Sequence, residues 1–450
     1  MITPNATLTA PTIAALKAAG VQYILPQFTD IHGVGKGKLI PIDQWKSILN
    51  PGAGFAGPSI WGTGLGRQGD LSEYYGRADA SAPVQQLPWL PSVARVVCDG
   101  FAGGQPLAAC SRQVLKRQVE RLKALGYGLN VGIEPEFFIT NPAQMYLHDA
   151  QDTLEKPSYD LKALFKQPVY GLIQTLHQAL STLGFDVTQI DHEDAPGQYE
   201  INYTYDQALA AADRFMLFKL AAHGVAEHHG QAVSFMPKPF ADRPGSGLHF
   251  HLSLTDAAGK ELVGPSSSNP LLSQPMMHAL AGLLKHAPAL CALHAPTVNS
   301  YKRLVIGRSQ SGTTWAPAHI AYGYNNRTCV ARSLQGRFEW RLPDPSTNVY
   351  LAIAGVIAAM IDGLENSLNP PASVDADLYE WTHEAIAAAG IRTLPQSLGE
   401  SLAAFEADAL LRDALGAQVS REFIELKHAE WINYARHVSD WELKQYAHAF

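Results

Sequence analysis

The chain has 450 residues, 46% hydrophobic and 17% charged, with a formal net charge of −7. It is long enough for more than one domain and too apolar to be disordered. The acidic balance excludes a general nucleic-acid binder, which needs a basic stripe. No uninterrupted apolar run approaches the ~20 residues of a membrane span, so neither nucleic acid nor membrane is expected as a partner.

From the N-terminus, Thr9-Ala-Pro opens a short helix and Gly20 stops it, and no basic segment precedes an apolar leader. Residues 21–100 alternate strand-like runs (VQYILPQF, ARVVCD) with Gly- and Pro-rich loops, which predicts a small β-rich domain over 1–105. At Ser111 the texture changes. SRQVLKRQVERLKALG has helical periodicity, with Ser111 read as its cap and a terminal Gly. Further helices are predicted at 166–183, 206–229, 271–286, 348–366 and beyond 377. Strands are predicted at 129–140, 185–191, 197–203, 231–237, 247–254, 328–333 and 336–342. The segment 263–275 reads as a surface loop. His228-His229 closes a helix before Gly230 and complements its C-terminal dipole. The class is α+β, with a second domain over 106–450. Cys98, Cys110, Cys291 and Cys329 show no CxxC spacing and read as reduced core thiols in a cytoplasmic protein.

Four segments carry unusual polarity. VGIEPEFFIT places Glu134 and Glu136 on one side of an otherwise apolar strand. DHEDAPGQYEI offers His192, Glu193 and Glu200. SGLHFHLSL puts His249, His251 and Ser253 on one face, with Phe250 and Leu252 opposite; GRFEWRLPD does the same with Arg337, Glu339 and Arg341 against Phe338 and Trp340. Taken singly, each pattern is a solvated strand face or a local ion pair. Together, five carboxylates on one face repel and stay ionised only around cations. A carboxylate-rich set with imidazole suits Mg²⁺ or Mn²⁺, and no cysteine accompanies it as a structural zinc site would require. Arg303, Arg327, Arg332, Arg337 and Arg341 follow, and arginine forks grip carboxylates and phosphates. The combination points to phosphoryl transfer without a P-loop or a dinucleotide fingerprint.

GIEPEFF, HEDAPGQYEI, FMPKPF…PGSGLHFHLS, NSYKRLV, NNRTCVAR and RFEWRLPDPSTN, in this order, resemble the glutamine synthetase family over most of residues 15–370. The resemblance implies a β-grasp N-terminal domain, then a catalytic domain of antiparallel strands flanked by helices. It also implies two stacked hexameric rings with active sites between subunits. Glu136, Glu193 and Glu200 would hold one metal; Glu134, His249 and Glu339 a second, with two to three ions per site. His251, Ser253, Arg332, Arg337 and Tyr205 would line ATP. Gly245, Arg303 and Arg341 would meet L-glutamate, and Arg327 the transferred phosphate. Tyr159, in PSYD, and Asp79, in GRAD, would serve the amine site. The implied reaction phosphorylates the γ-carboxylate of glutamate, and an amine then displaces phosphate.

Departures from the family pattern gather at the amine end. FAGPSI carries Ala56 where the family has an aspartate, although Ser59 is kept. TTWAP carries Trp315 where ammonia-using enzymes have a flap glutamate, and Pro244 replaces an asparagine before Gly245. Two carboxylates are lost and apolar surface is added. Burying a methyl group contributes ~0.8 kcal/mol, which favours an alkylamine over ammonia. The pattern is similar to the γ-glutamylmethylamide synthetase branch, with methylamine or ethylamine as substrate. The alternatives are glutamine synthesis from ammonia, a γ-glutamylpolyamine ligase, and a non-catalytic relative. Tyr379, in DADLYEW, reads as a packing residue near a position that some family members modify.

Overall fold

The computed structural model describes residues 6–143, 158–267, 269–305 and 315–450. The N-terminal helix Ala10–Ala18 is capped by the Thr9 side chain, as expected. It precedes an eight-stranded sheet in which Tyr23–Thr29 runs parallel to the long strand Leu90–Ala102 and the other pairings are antiparallel. The helix Ser111–Ala124 follows. Its cap is Cys110 rather than Ser111, which is the first helical residue and donates its hydroxyl to Thr29 O at 3.4 Å.

A second, ten-stranded sheet carries the polar motifs. Its main path runs Val187–His192, Gln198–Tyr203, Tyr127–Thr140, Leu248–Asp256, Arg337–Trp340, Cys329–Leu334, His319–Tyr324 and Arg392–Thr393. The strand His319–Tyr324, not foreseen, pairs in parallel with Cys329–Leu334. One face is apolar throughout: Phe250, Leu252, Phe338 and Trp340 are fully buried. That burial anchors the register, since a one-residue slip would turn every polar group into the core.

Behind this face lie the helices Ala208–His228, Gln274–His294 and Val349–Glu365. Gln274–His294 runs eight residues beyond its predicted end and passes through Pro288. It amends the expectation about apolar runs: its 21 residues reach a mean hydropathy of 1.2 over their most apolar window, of which 83% is buried inside the protein. It is a core helix. It crosses Val349–Glu365 backbone to backbone, because a Cβ on Gly363 would lie 2.0 Å from His278 O and one on Gly282 would lie 2.0 Å from Ala359 O. His294, at its end, is buried; it takes the Trp340 indole N–H on Nδ1 at 3.1 Å, and its Nε2 reaches Ala352 O at 3.2 Å. All four cysteines are free and buried.

Side-chain contacts tie the N-terminal sheet to these helices. Asn348 caps Val349–Glu365 through its side-chain oxygen and donates its amide to Asp30 O at 2.8 Å. Arg112 pairs with Asp79 and Asp99 of the N-terminal sheet region at 2.7 and 2.8 Å, and with Asp213 of the helix Ala208–His228 at 2.8 Å. Its side chain is 4% exposed.

Candidate active site

Cross-strand register brings the scattered motifs into one patch. Asp191 stands opposite Glu200, and Glu200 opposite Glu136. On the other side of the central strand, Glu134 faces His249. Two residues on, His251 faces Glu339, and Glu339 faces Arg332. Period-two alternation on adjacent strands is therefore what assembles the polar face. Glu193 and Asp194 sit at the tip of the hairpin between Val187–His192 and Gln198–Tyr203, closed by Glu193 N–H to Gln198 O at 2.9 Å.

The patch floors a cavity of about 980 Å³. Six expected metal ligands line it: Glu134, Glu136, Glu193, Glu200, His249 and Glu339. So do Arg303, Arg327, Arg332 and Arg341, with Gly245, Tyr159 and Trp315. Glu134 receives His251 Nε2 at 2.8 Å and lies 3.5 Å from His249 Nδ1. Glu339 lies 3.3 Å from His249 Nδ1 and takes Arg332 and Arg341 at 2.8 Å each. Donor atoms of Glu134, His251 and Glu339 all fall within 4.8 Å of one another, so among the described residues His251 takes the place in this donor group where His249 had been expected. Glu136 accepts from Gln198 Nε2 at 3.0 Å and Gly247 N–H at 2.9 Å through one oxygen. The absence of a side chain at Gly247 makes room for the imidazole, because a Cβ there would stand 2.6 Å from His249 Nε2 and displace it.

The electrostatics divide the patch in two. Around Glu339, burial raises the carboxyl pKa, but Arg341, His249 and His251 outweigh it and hold it at about 2. Glu134 is likewise held low by the two histidines against the penalty of burial. On the other side, burial and then Glu136, Asp194 and Asp191 push Glu193 up to about 8. Burial, with Glu134, Glu193 and Glu136, pushes Glu200 well above the carboxylate range. Three neighbouring acids with so few counter-charges form a site for hard cations. The donor set of carboxylates and imidazole fits Mg²⁺ or Mn²⁺ and contains no thiolate.

The arginines are placed by the backbone. Arg303 donates to Leu342 O and Arg341 O, both at 3.0 Å, and is buried. Arg332 is fixed by Asn325 Oδ1 at 2.8 and 2.6 Å from Nε and one terminal nitrogen. Arg341 is buried, and its Nε finds no protein partner among the described residues, an arrangement suited to an anionic ligand. Tyr159 is exposed and carries a φ of 63°, a strained backbone for a bulky residue.

A second polar cluster extends from the same face but lies outside the cavity lining. Arg337 Nε donates to His251 Nδ1 at 3.1 Å, Asn130 reaches Ser253 at 3.5 Å, and exposed Tyr205 donates to Glu261 at 3.0 Å. Ser59 and Asp79 are not brought to the cavity by this chain's own fold. Ser59 is exposed in the 3-10 turn Gly57–Ser59 that follows the strand Ala53–Ala56 of the N-terminal sheet. Both Asp79 oxygens are engaged, one by Arg112 and Lys116 at 2.7 Å, the other by Ser81 at 2.6 Å. Within one chain Asp79 is thus committed to these partners, and a part in an amine site shared with a neighbouring subunit is a separate matter. Tyr379 donates its hydroxyl to Ala316 O at 2.9 Å, in keeping with a packing role.

Sequence reasoning missed Gln198, Asp191 and Asp194, all of which line the cavity. The run DHED held a signal: strand alternation puts Asp191 beside Glu200, and the hairpin tip carries Asp194 with Glu193.

Comparison with known proteins agrees with this geometry. Residues 108–446 match the model of the glutamine synthetase catalytic domain. The chain is 49% identical to a glutamate–methylamine ligase of Methyloversatilis universalis, over 97% of this chain and 98% of that one. It is 39% identical to a glutamine synthetase of Rhizobium meliloti, over 97% and 98%. A solved structure described as a GmaS/ADP complex superposes with a TM-score of 0.89 at 36% identity, covering 97% of this chain and 99% of that one. An apo GmaS structure gives 0.87 at 35%, with the same coverage. With the family's catalytic domain matched over residues 108–446 and its motifs gathered in one cavity, the chain belongs to the glutamine synthetase family.

Proposed function

We propose that this chain is an ATP-dependent ligase that joins the γ-carboxylate of L-glutamate to methylamine or a similar small alkylamine. The observation that carries the reading is a single cavity holding two carboxylate clusters, one matched by arginines and histidines and the other not. Such a cavity suits a nucleotide tail with its divalent ions on one side and an amino acid on the other. The similarity to a glutamate–methylamine ligase favours the alkylamine over ammonia.

In this reading Glu136, Glu193 and Glu200 hold one divalent ion and Glu134, His249 and Glu339 another, with His251 beside the second. The bound ions would act as Lewis acids and neutralise phosphate charge. Arg332 and Arg337 orient the nucleotide along the extension marked by His251, Ser253 and Tyr205. Arg303 and Arg341 grip glutamate near Gly245. A γ-carboxylate oxygen attacks the terminal phosphorus of ATP, and ADP leaves. Arg327 and Arg332 balance the charge of the transferred group. The amine nitrogen then attacks the γ-carbonyl carbon, phosphate leaves, and the surplus N–H proton passes to a carboxylate at the cavity. Tyr159 and Trp315 border the amine.

The exposed apolar side chains of Trp61, Trp441, Leu443 and Phe450 support an oligomer, here proposed as two stacked hexameric rings in the cytoplasm. In such rings Ser59 of a neighbouring subunit could reach the amine end. Size-exclusion chromatography with light scattering tests the assembly. Phosphate release with ATP, glutamate and a panel of amines tests the activity. A kcat/KM for ammonia above that for methylamine refutes the alkylamine reading, and no glutamate-dependent turnover with any amine refutes the ligase.

A further inference from the structure

Trp315 borders the cavity at the end where the sequence departs most from ammonia-using relatives, and three contacts immobilise it. Its indole N–H donates to the Asp194 carboxylate. Its carbonyl accepts from Arg341 at 3.3 Å, and the next carbonyl, of Ala316, accepts from Tyr379 at 2.9 Å. The last two contacts fix the backbone. Among the described residues, the first is the hydrogen bond made by the ring itself, which is 44% exposed, so it is the contact that sets the plane of the indole. Asp194 comes from the hairpin tip that also carries Glu193. One short turn therefore supplies both a metal-site carboxylate and the group that orients the apolar wall.

We infer that Asp194 is a positioning residue for amine selectivity: it holds the Trp315 indole as a rigid wall that accommodates a methyl group beside the reacting nitrogen. The inference rests on the ligase reading and deepens it by naming what distinguishes an alkylamine from ammonia. Methylamine gains from a fixed apolar wall, because a preorganised surface loses no ring freedom on binding, whereas ammonia has no carbon to place against it.

The test uses the full-length protein with ATP, glutamate, Mg²⁺ and either methylamine or ammonium, comparing wild type with Asp194→Ala, Asp194→Asn, Trp315→Ala and the Asp194→Ala/Trp315→Ala double variant. Asp194→Ala is expected to raise the methylamine KM about tenfold, the scale of one hydrogen bond to a charged group, while changing the ammonium KM less than about twofold. Asparagine keeps an oxygen acceptor for the indole, so Asp194→Asn should retain most of the selectivity. The double variant should be no worse than Trp315→Ala, as expected of two residues acting as a unit. The Mg²⁺ activation constant serves as control for Glu193. Equal loss in Asp194→Asn and Asp194→Ala would show that charge, not ring placement, matters and would overturn the inference. So would additive losses in the double variant, or parallel changes for both amines. If wild type prefers ammonium, the alkylamine reading fails on its own; glutamate-dependent turnover would still show the ligase intact.

Discussion

Loading the site with a divalent ion should expel protons, and the number follows from the carboxylates. Without cations, burial and mutual repulsion hold Glu193 at about 8 and push Glu200 well above the carboxylate range. At pH 7 a group with a pKa of about 8 is ~90% protonated, so Glu193 alone keeps about one proton that a metal must displace, and Glu200, raised in the same direction, adds to the release. Glu339, held at about 2 by Arg341 and the histidines, has none to give. Titration calorimetry of Mg²⁺ into metal-free protein, in two buffers of different ionisation enthalpy at pH 7, reads the count directly. The release should shrink as pH rises through 8 and the site empties of protons unaided. Replacing Glu200 with Gln should lower the count, since a neutral amide has nothing to lose. Proton release below about 0.3 per site at pH 7, or release that grows toward pH 9, would show that these acids are not packed as described.

Other outcomes follow from particular contacts. Glu339→Ala leaves two arginines beside an empty buried position, so it should cost about 3 kcal/mol in urea unfolding and abolish measurable ATP turnover. Gly363→Ala drives a methyl into the His278 carbonyl; it should destabilise by at least about 3 kcal/mol in the same assay, with activity falling only as folded protein is lost. Burial depresses the His294 pKa to about 4, so the neutral ring is favoured in the fold. Its contribution is complete above the unfolded value of 6.5 and is lost as pH falls from there toward 4, about 3 kcal/mol across that window. His294→Gln, which can still accept the Trp340 indole N–H, should flatten this part of the stability profile. Stability that rises on acidification across that window in wild type would refute the assignment of a neutral buried ring.

Strand alternation made most of the catalytic face legible in advance. Where a strand is apolar on one side, as with Phe250 and Leu252, the positions of His249 and His251 are forced, and the same holds for Glu339 between Phe338 and Trp340. What alternation does not reveal is which strands become neighbours. The register that sets His251 against Glu339, and so brings its imidazole into the donor group, depends on pairing across long sequence separations. Asp194 escaped notice for a related reason: its role lies in a contact with Trp315, 121 positions away. Ser111 was misjudged as a cap because serine fits the boundary chemically, yet the chain turns one residue earlier. The length of Gln274–His294 was underestimated at Pro288, which a fully packed helix tolerates. The ion pairs of Asp79 were not legible, because its partners Arg112 and Lys116 lie on the following helix.

The Arg112 junction bears on how this molecule can move. A guanidinium shut away from water and shared among acids from both halves acts as a rivet: swinging the N-terminal sheet about the helices would strand a charge in a dry seam. Any opening and closing that accompanies turnover must then be borne by the hairpin tips and connecting segments around the cavity mouth, while the two sheets keep their mutual pose.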